Sequence, residues 1–276
     1  MPLGFLFSSA DRCERIRDVL STSQPVSLRS ICDLQRDVAL PSARQLRDQL
    51  VALIKALPES EEPEPSWSDV LAQLREWDGV YSRDSRGALV FELLLAHLCL
   101  RYYNDAERAF QGVVWTGRAL AGAGLITPSA GLFAALNDAV ARTGKDLVHY
   151  ATWGDLHRLV LAHPLSSLPF VGRRLVFADL PASGGSNTVM RTAGPSVPQR
   201  HSAVYGSVAR FVADLAGMND NYAVLLGGQD GWLGSDTMLD QLELWLKGRT
   251  IRLPLESETV MREFPHVTLL QPGEPL

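Results

Sequence analysis

Long apolar runs are missing from this sequence, and so are most of the signatures that announce a chemistry. The longest apolar stretch, residues 88–100, carries Glu92 and His97 and is too short to cross a bilayer. It reads as a buried helix. The opening MPLGFLF has no basic residue and soon runs into charged ADRCERIRD, so no secretory leader pattern is present. Cysteine is scarce. Cys13, Cys32 and Cys99 lack metal-ligand spacing and read as small hydrophobes that assign no redox compartment. A cationic excess is lacking too: the formal net charge of −5 leaves no electrostatic footprint for nucleic acid.

Catalytic motifs are equally thin. Gly227, Gly228, Gly231 and Gly234 crowd one loop but do not spell G-x-G-x-x-G, and no Gly-Lys-Ser/Thr follows. This excludes a dinucleotide fingerprint and a P-loop. The glycines instead suit positive φ and close backbone approach. H-E-x-x-H, G-x-S-x-G, S-x-x-K and the kinase signatures are absent, so neither a zinc protease nor a serine-hydrolase elbow is spelled out. His157 and His163 would share a face of an unbroken strand, but no Cys/His cluster accompanies them. They read as polar caps at strand ends. His97, inside the apolar helix, reads as a hydrogen-bonded core histidine.

What is present is a core of ordinary size and a change of periodicity halfway along. Hydrophobic residues make up 46% and charged residues 21%, enough apolar surface for a globular fold. Asp11 caps a helix to about Leu20, Ser27 caps another, and Pro41 opens a third with Leu46, Leu50, Leu53, Ile54 and Leu57 on one stripe. The acidic, proline-broken stretch 58–65 is a loop. Ser66 starts a helix that stops before Trp77-Asp78-Gly79, and further helices fit 85–101, 105–122 and 129–142. After Gly144 short β-rich runs follow: LHRLVLA, RRLVFADL, NTVMRTA, SAVYGSVARFVADL, NYAVLLG and HVTLLQ. Helices first and strands later predict an α+β fold, with 1–145 a mostly helical layer and 146–276 strand-rich.

Seven stretches, in order, carry a resemblance: ADRCERI (10–16), DLQRDVAL (33–40), WDG (77–79), WGDLHRLVLAHPL (153–165), GGSNTV (184–189), GSVARFVADL (206–215) and GGQDGWLGSDTMLDQLELWL (227–246). Together they resemble the penicillin acylase family of N-terminal-nucleophile hydrolases, and within it the C-terminal part of the β chain. The resemblance implies the C-terminal portion of a four-layer αββα fold, with stacked antiparallel sheets in the second half. The glycine loop looks like the family's G-G-Q-S-G…D-Q-x-x-x-W segment between a core strand and a helix. Asp240, Gln241 and Trp245 match it, while Asp230 stands where serine is usual.

The same resemblance implies a linear amide hydrolysed by a serine whose own α-amino group is its base, with a backbone N–H and an asparagine side chain on the oxyanion. The expectation is that nucleophile, asparagine, α chain and any calcium ligands lie outside this chain, which then supplies no catalytic residue and no metal ligand. Its partners would be the upstream α chain, the first part of the β chain and a small acylated amine: a β-lactam nucleus, an acyl-homoserine lactone or a lipopeptide. Export to the periplasm or beyond is implied by the family alone. A competing expectation is an inactive remnant, or a scaffold subunit completing a partner's fold.

Single residues follow from the match. Ser186-Asn187 mimics the pair that opens the family's β chain. Yet it sits in the late G-G-x-x-x-T-V strand entry, and cleavage there would leave about 90 residues, too few for a two-sheet core. Arg12, at the A-D-R position, is the candidate for holding the carboxylate side of a substrate through its planar fork. A surface arginine paired with Asp11 or Glu14 is the alternative. Arg210 is expected as a structural ion-pair partner, Asp37 as an anchor of the helical layer, and Trp77 and Trp153 as packing aromatics.

Overall fold

The computed structural model describes residues 10–21, 25–57, 66–102 and 128–270. The expected helix at 105–122 and the acidic loop at 58–65 lie outside the described residues. The fold is mixed α+β and divides into two compact units: residues 1–24 with 34–207, and 25–33 with 208–276.

In the larger unit the helices come first: α1 (Asp11–Leu20), α3 (Pro41–Lys55), α4 (Ser66–Glu76), α5 (Arg86–Tyr102) and α6 (Ala130–Asp146). Asp11 does not cap α1 but is its first residue, and it is buried; Ala10 precedes it as the N-cap. Pro41 occupies the first turn of α3, where no N–H is needed, and Ser129 caps α6 by accepting from the Leu132 N–H. Helix α5 is mostly apolar and, from Gly87 to Leu98, buried or half-buried around its whole circumference, packed against α4 and α6. Leu89, Leu93, Leu94 and Leu95 are sealed in it, each contributing about 1.5–3 kcal/mol. Trp77 lies so close to Gly87 that an added Cβ would come within 2.4 Å of it, so the first turn of α5 requires a glycine there. Gly79, at φ +86°, turns the chain after α4 in the WDG stretch. His97 meets Asp146 at 2.6 Å, joining α5 to α6 as a core histidine does.

Strands follow from His157. A four-residue helix, α7 (Trp153–Leu156), leads into β1 (His157–Ala162), which pairs antiparallel with β2 (Val176–Pro181) and parallel with β4 (His201–Ser202). A shorter pair joins β3 (Thr192–Ala193) to β5 (Tyr205–Gly206). The expected NTVMRTA strand thus shrinks to two residues, because the preceding residues fold into a tight turn instead.

The smaller unit holds α2 (Leu28–Leu34) through Asp33, then β6 (Ala209–Ala213), β7 (Asn221–Leu225), α8 (Leu242–Lys247), β8 (Ile251–Arg252) and α9 (Ser257–Glu263). Ser27 caps α2 as expected, its hydroxyl accepting from the Ser30 N–H. The sheet order is β6-β7-β8, antiparallel throughout. Residues 264–270 form no strand and lie exposed, so the apolar alternation in HVTLLQ did not find a pairing edge among the described residues. No helix among the described residues is long and apolar enough to cross a membrane.

One buried carboxyl gives the fold a pH dependence. Glu92 lies in the apolar α5, and its acceptor oxygen takes the Tyr81 hydroxyl at 2.6 Å. Burial pushes its pKa from 4.5 to about 7, against the pull of that hydrogen bond. A folded-state value above the unfolded one means the contribution is fully present below pH 4.5 and is lost as pH rises through about 7. Glu92→Gln keeps an acceptor for Tyr81 and removes the charge. Chemical denaturation between pH 5 and 8 will show the wild type weakening relative to this variant by an amount on the order of 3 kcal/mol.

Candidate functional site

Five of the seven family-like stretches meet in the larger unit, where helices give way to strands. The junction is built around the backbone of residues 37–40 and 79–81. Tyr81 donates its N–H to the Val38 carbonyl at 2.9 Å, and Leu40 donates to Gly79 at 2.9 Å. On one side Asp37 accepts both Arg15 nitrogens, Nη2 at 2.6 Å and Nε at 3.0 Å, tying α1 to this segment. Its second oxygen takes the Ala39 N–H, and its carbonyl takes the Met190 N–H. Asp37 therefore does anchor the helical layer, and Arg15 is the partner that the Q-R-D spacing left unnamed.

On the other side stands the Gly184–Thr192 turn. Gly184 has φ +89°, and a Cβ there would strike the Met190 carbonyl at 2.4 Å. Its N–H reaches the Tyr81 carbonyl at 2.7 Å, and its carbonyl accepts the Trp153 indole N–H at 2.8 Å. The buried Thr188 hydroxyl donates to Met190 O at 2.7 Å and accepts from Gly185 N at 3.0 Å. The buried Thr188 hydroxyl and the Gly184 amide and carbonyl are thereby satisfied from within the junction.

Trp153 and His157 stack with ring centroids 4.6 Å apart, and His201 lies 5.0 Å from His157. His157 Nε2 faces the Thr192 carbonyl at 2.8 Å. A carbonyl only accepts, so Nε2 carries the proton, and the lone pair on Nδ1 meets no donor among the described residues. Burial, with His201 nearby, lowers the His157 pKa to about 3. Thr192 Oγ1 lies 3.2 Å from the same nitrogen but spends its hydrogen on the Ser183 carbonyl at 2.8 Å. An imidazole that already donates at Nε2 cannot take a proton there. The His–Thr contact is a brace and not a nucleophile–base pair.

The remaining candidates separate. Ser186 is half-buried in the turn, and no hydrogen bond joins it to a histidine, lysine or carboxylate among the described residues. His163 sits beyond the end of β1, where its Nδ1 accepts the Leu165 N–H. Arg12 is exposed on α1, without a hydrogen bond or ion pair among the described residues. Among those residues no group of three or more His, Cys, Asp or Glu could hold a metal ion. Trp77 and Trp153 are buried packing aromatics.

The other two stretches meet in the smaller unit. Gly227 has φ +114° and Gly234 φ +83°, while a Cβ on Gly228 would collide with the Thr237 carbonyl at 2.0 Å. The buried Gln241 closes the loop by accepting the Leu225 N–H at 2.9 Å and donating its own N–H to Gly227. Asp230 accepts from Trp232 N, Ser235 Oγ and Thr237 Oγ1, and the two hydroxyls with that N–H hold its carboxyl below the usual range. Arg210 lies 4.0 Å over the Trp245 ring and donates to its carbonyl at 2.8 Å. An aromatic face and a backbone oxygen are thus among the contacts that hold this arginine.

Substituting Gly184 is the sharpest test of the junction. Gly184→Ala will lower stability by about 2–4 kcal/mol in thermal or chemical denaturation, since strain and collision act together. A His157→Gln variant will lose part of the weakening that the wild type shows as pH falls from 6.5 towards 3. A depressed histidine contributes above its unfolded value and loses that contribution as pH falls through the folded one.

A family model for penicillin amidase matches residues 1–262. An acyl-homoserine lactone acylase of Pseudomonas putida, QuiP, is 24% identical over 314 residues, an alignment covering 99% of this chain and 38% of the relative's length. With five of its motif stretches at one junction and two in the smaller unit, the chain belongs to the penicillin amidase family.

Proposed function

We propose that these residues are part of an amidohydrolase that cleaves the linear amide of an acylated amine, an N-acyl-homoserine lactone foremost. Residues 1–145 would supply the helical layer, and 146–276 strands of the stacked sheets, of a four-layer αββα fold. The acyl-homoserine lactone choice is supported by the relative that aligns along nearly this whole chain.

The observation that carries the mechanistic reading is the state of His157. It is the buried histidine closest to a hydroxyl, and it is neutral, already donating, and braced. We therefore assign the attack to a serine outside the described residues, with its own α-amino group as proton acceptor. The serine oxygen adds to the amide carbonyl, and its proton passes to that amine. The oxyanion is held by a backbone N–H and an asparagine side chain. The α-ammonium group returns that proton to the amide nitrogen, the C–N bond breaks and the substrate's amine leaves. Water, deprotonated by the same α-amino group, then releases the acid from the acyl-enzyme. In this scheme the junction at Tyr81, Gly184 and Trp153 keeps the sheet ends in register, and Arg12 meets the polar side of the substrate at the mouth of the site.

A second reading, a scaffold subunit that completes a partner's fold, is favoured by one feature. In the smaller unit Leu215 is 98%, Trp232 79% and Leu233 53% exposed, apolar surface of the kind a partner chain covers.

The chain by itself will not release homoserine lactone from an N-acyl-homoserine lactone. Combined with a companion polypeptide that bears the N-terminal serine, it will. In that assembly Arg12→Ala will raise KM by about tenfold with kcat little changed. Turnover by the isolated chain, abolished by Ser186→Ala, would overturn the assignment of the nucleophile.

A further inference from the structure

The connection between β1 and β2 has a property that the acylase reading does not use. Between Asp155 and Asp179 the sequence contains no carboxylate, while Arg173 and Arg174 stand together near the end of that stretch. Both are exposed, and neither guanidinium makes a hydrogen bond or ion pair among the described residues. Phe170 is 102% exposed and has φ 67°, the one non-glycine positive φ among the described residues. Leu165, Leu168 and Val171 are exposed around it. A bulky residue at positive φ is strained, and full exposure of its ring forgoes burial as well.

The loop is nevertheless closely built. Gly172 is buried, and a Cβ on it would lie 2.1 Å from the Ser166 carbonyl, so the two limbs of the loop touch through bare backbone. Ser166 N bonds to His163 O, Leu168 N to Leu165 O, Gly172 N to Leu168 O, Arg174 N to Val171 O, and His163 N to Leu175 O. Leu165 N is taken by the His163 ring, and Pro164 and Pro169 have no N–H to satisfy. A convex apolar tip whose backbone donors are largely spent internally can enter a low-dielectric layer without stranding them. Two unpaired arginines at its base supply charge for phosphate oxygens.

We infer that the β1–β2 tip docks on an anionic phospholipid surface, with Phe170, Leu168 and Val171 entering the interfacial layer and Arg173 and Arg174 meeting headgroup phosphates. Charge complementarity selects this occupant. The chain carries a net charge of −5, but the acid nearest the tip along β2, Asp179, is already bound by Arg158 and Arg200. Charges beyond about 10 Å are screened at moderate salt, so the local cations decide the approach. The inference is independent of the acylase reading.

Vesicle flotation tests it on the whole chain. Vesicles of phosphatidylcholine with about one-third phosphatidylglycerol will carry the protein, and pure phosphatidylcholine will carry much less. Phe170→Gly removes the ring and relieves the positive φ, so it will melt no lower than the wild type while binding vesicles about tenfold more weakly. The pair Arg173→Gln and Arg174→Gln will erase the preference for anionic vesicles. Failure of the wild type to float with the anionic vesicles overturns the inference, as does binding that Phe170→Gly leaves unchanged. A concentration-dependent dimer that Phe170→Gly dissociates, with no flotation, overturns it in favour of a protein contact.

Discussion

Tyr81 is held from three directions, and much of the larger unit depends on that. Its N–H goes to Val38, its carbonyl takes Gly184, and its hydroxyl goes to Glu92 in the centre of the helical layer. The hydroxyl is sealed from water, so a partner is obligatory, and the partner chosen is a carboxyl whose pKa burial raises to about 7. Trp77 and Trp153 pack edge-on against the same ring, at 5.3 and 5.7 Å. Helices and strands are thus coupled through one side chain that satisfies polar groups on both. Movement of α5 would be felt at Gly184, and from there at the Trp153–His157 stack.

Seen this way, the family stretches look less like a catalytic kit than like a frame. Arg15, Asp37, Tyr81, Trp153, Gly184, Thr188 and Thr192 are each placed by hydrogen bonds to backbone or to one another. The chemistry assigned to the family asks for a serine with a free amine, a requirement that a frame of this kind supports without contributing to it. Histidines that would draw attention in another hydrolase are here spent on structure: His157 as a donor, His97 against Asp146, His163 as a cap.

Much of the helical half was legible in the sequence, because apolar periodicity and capping residues act locally. Pro41, Ser27, Gly79 and Ser129 each sit where their backbone chemistry requires. Strands were read less well. HVTLLQ has a strand's composition, but a strand also needs an edge to pair with, and composition does not supply one. The junction was legible only in pieces: Asp37 as an anchor, Trp153 as packing. The Glu92–Tyr81 bond escaped, although a single carboxylate among thirteen mostly apolar residues was its signal. Tyr81 lies outside that helix, and no spacing rule links the two. Arg210 lies over an indole, a contact that only tertiary packing decides.

The glycine loop bears on how this protein ages. Asp230 precedes Gly231, a pairing in which the following backbone nitrogen can attack the side-chain carbonyl carbon and isomerise the peptide through a cyclic imide. Gly231 offers no steric shield, since nothing lies within 4 Å of where its Cβ would be. Protection comes from the carboxylate's other commitments: Ser235 and Thr237 hold one oxygen, and Trp232 N holds the other. Three donors that shape the turn also keep its most labile bond from rearranging.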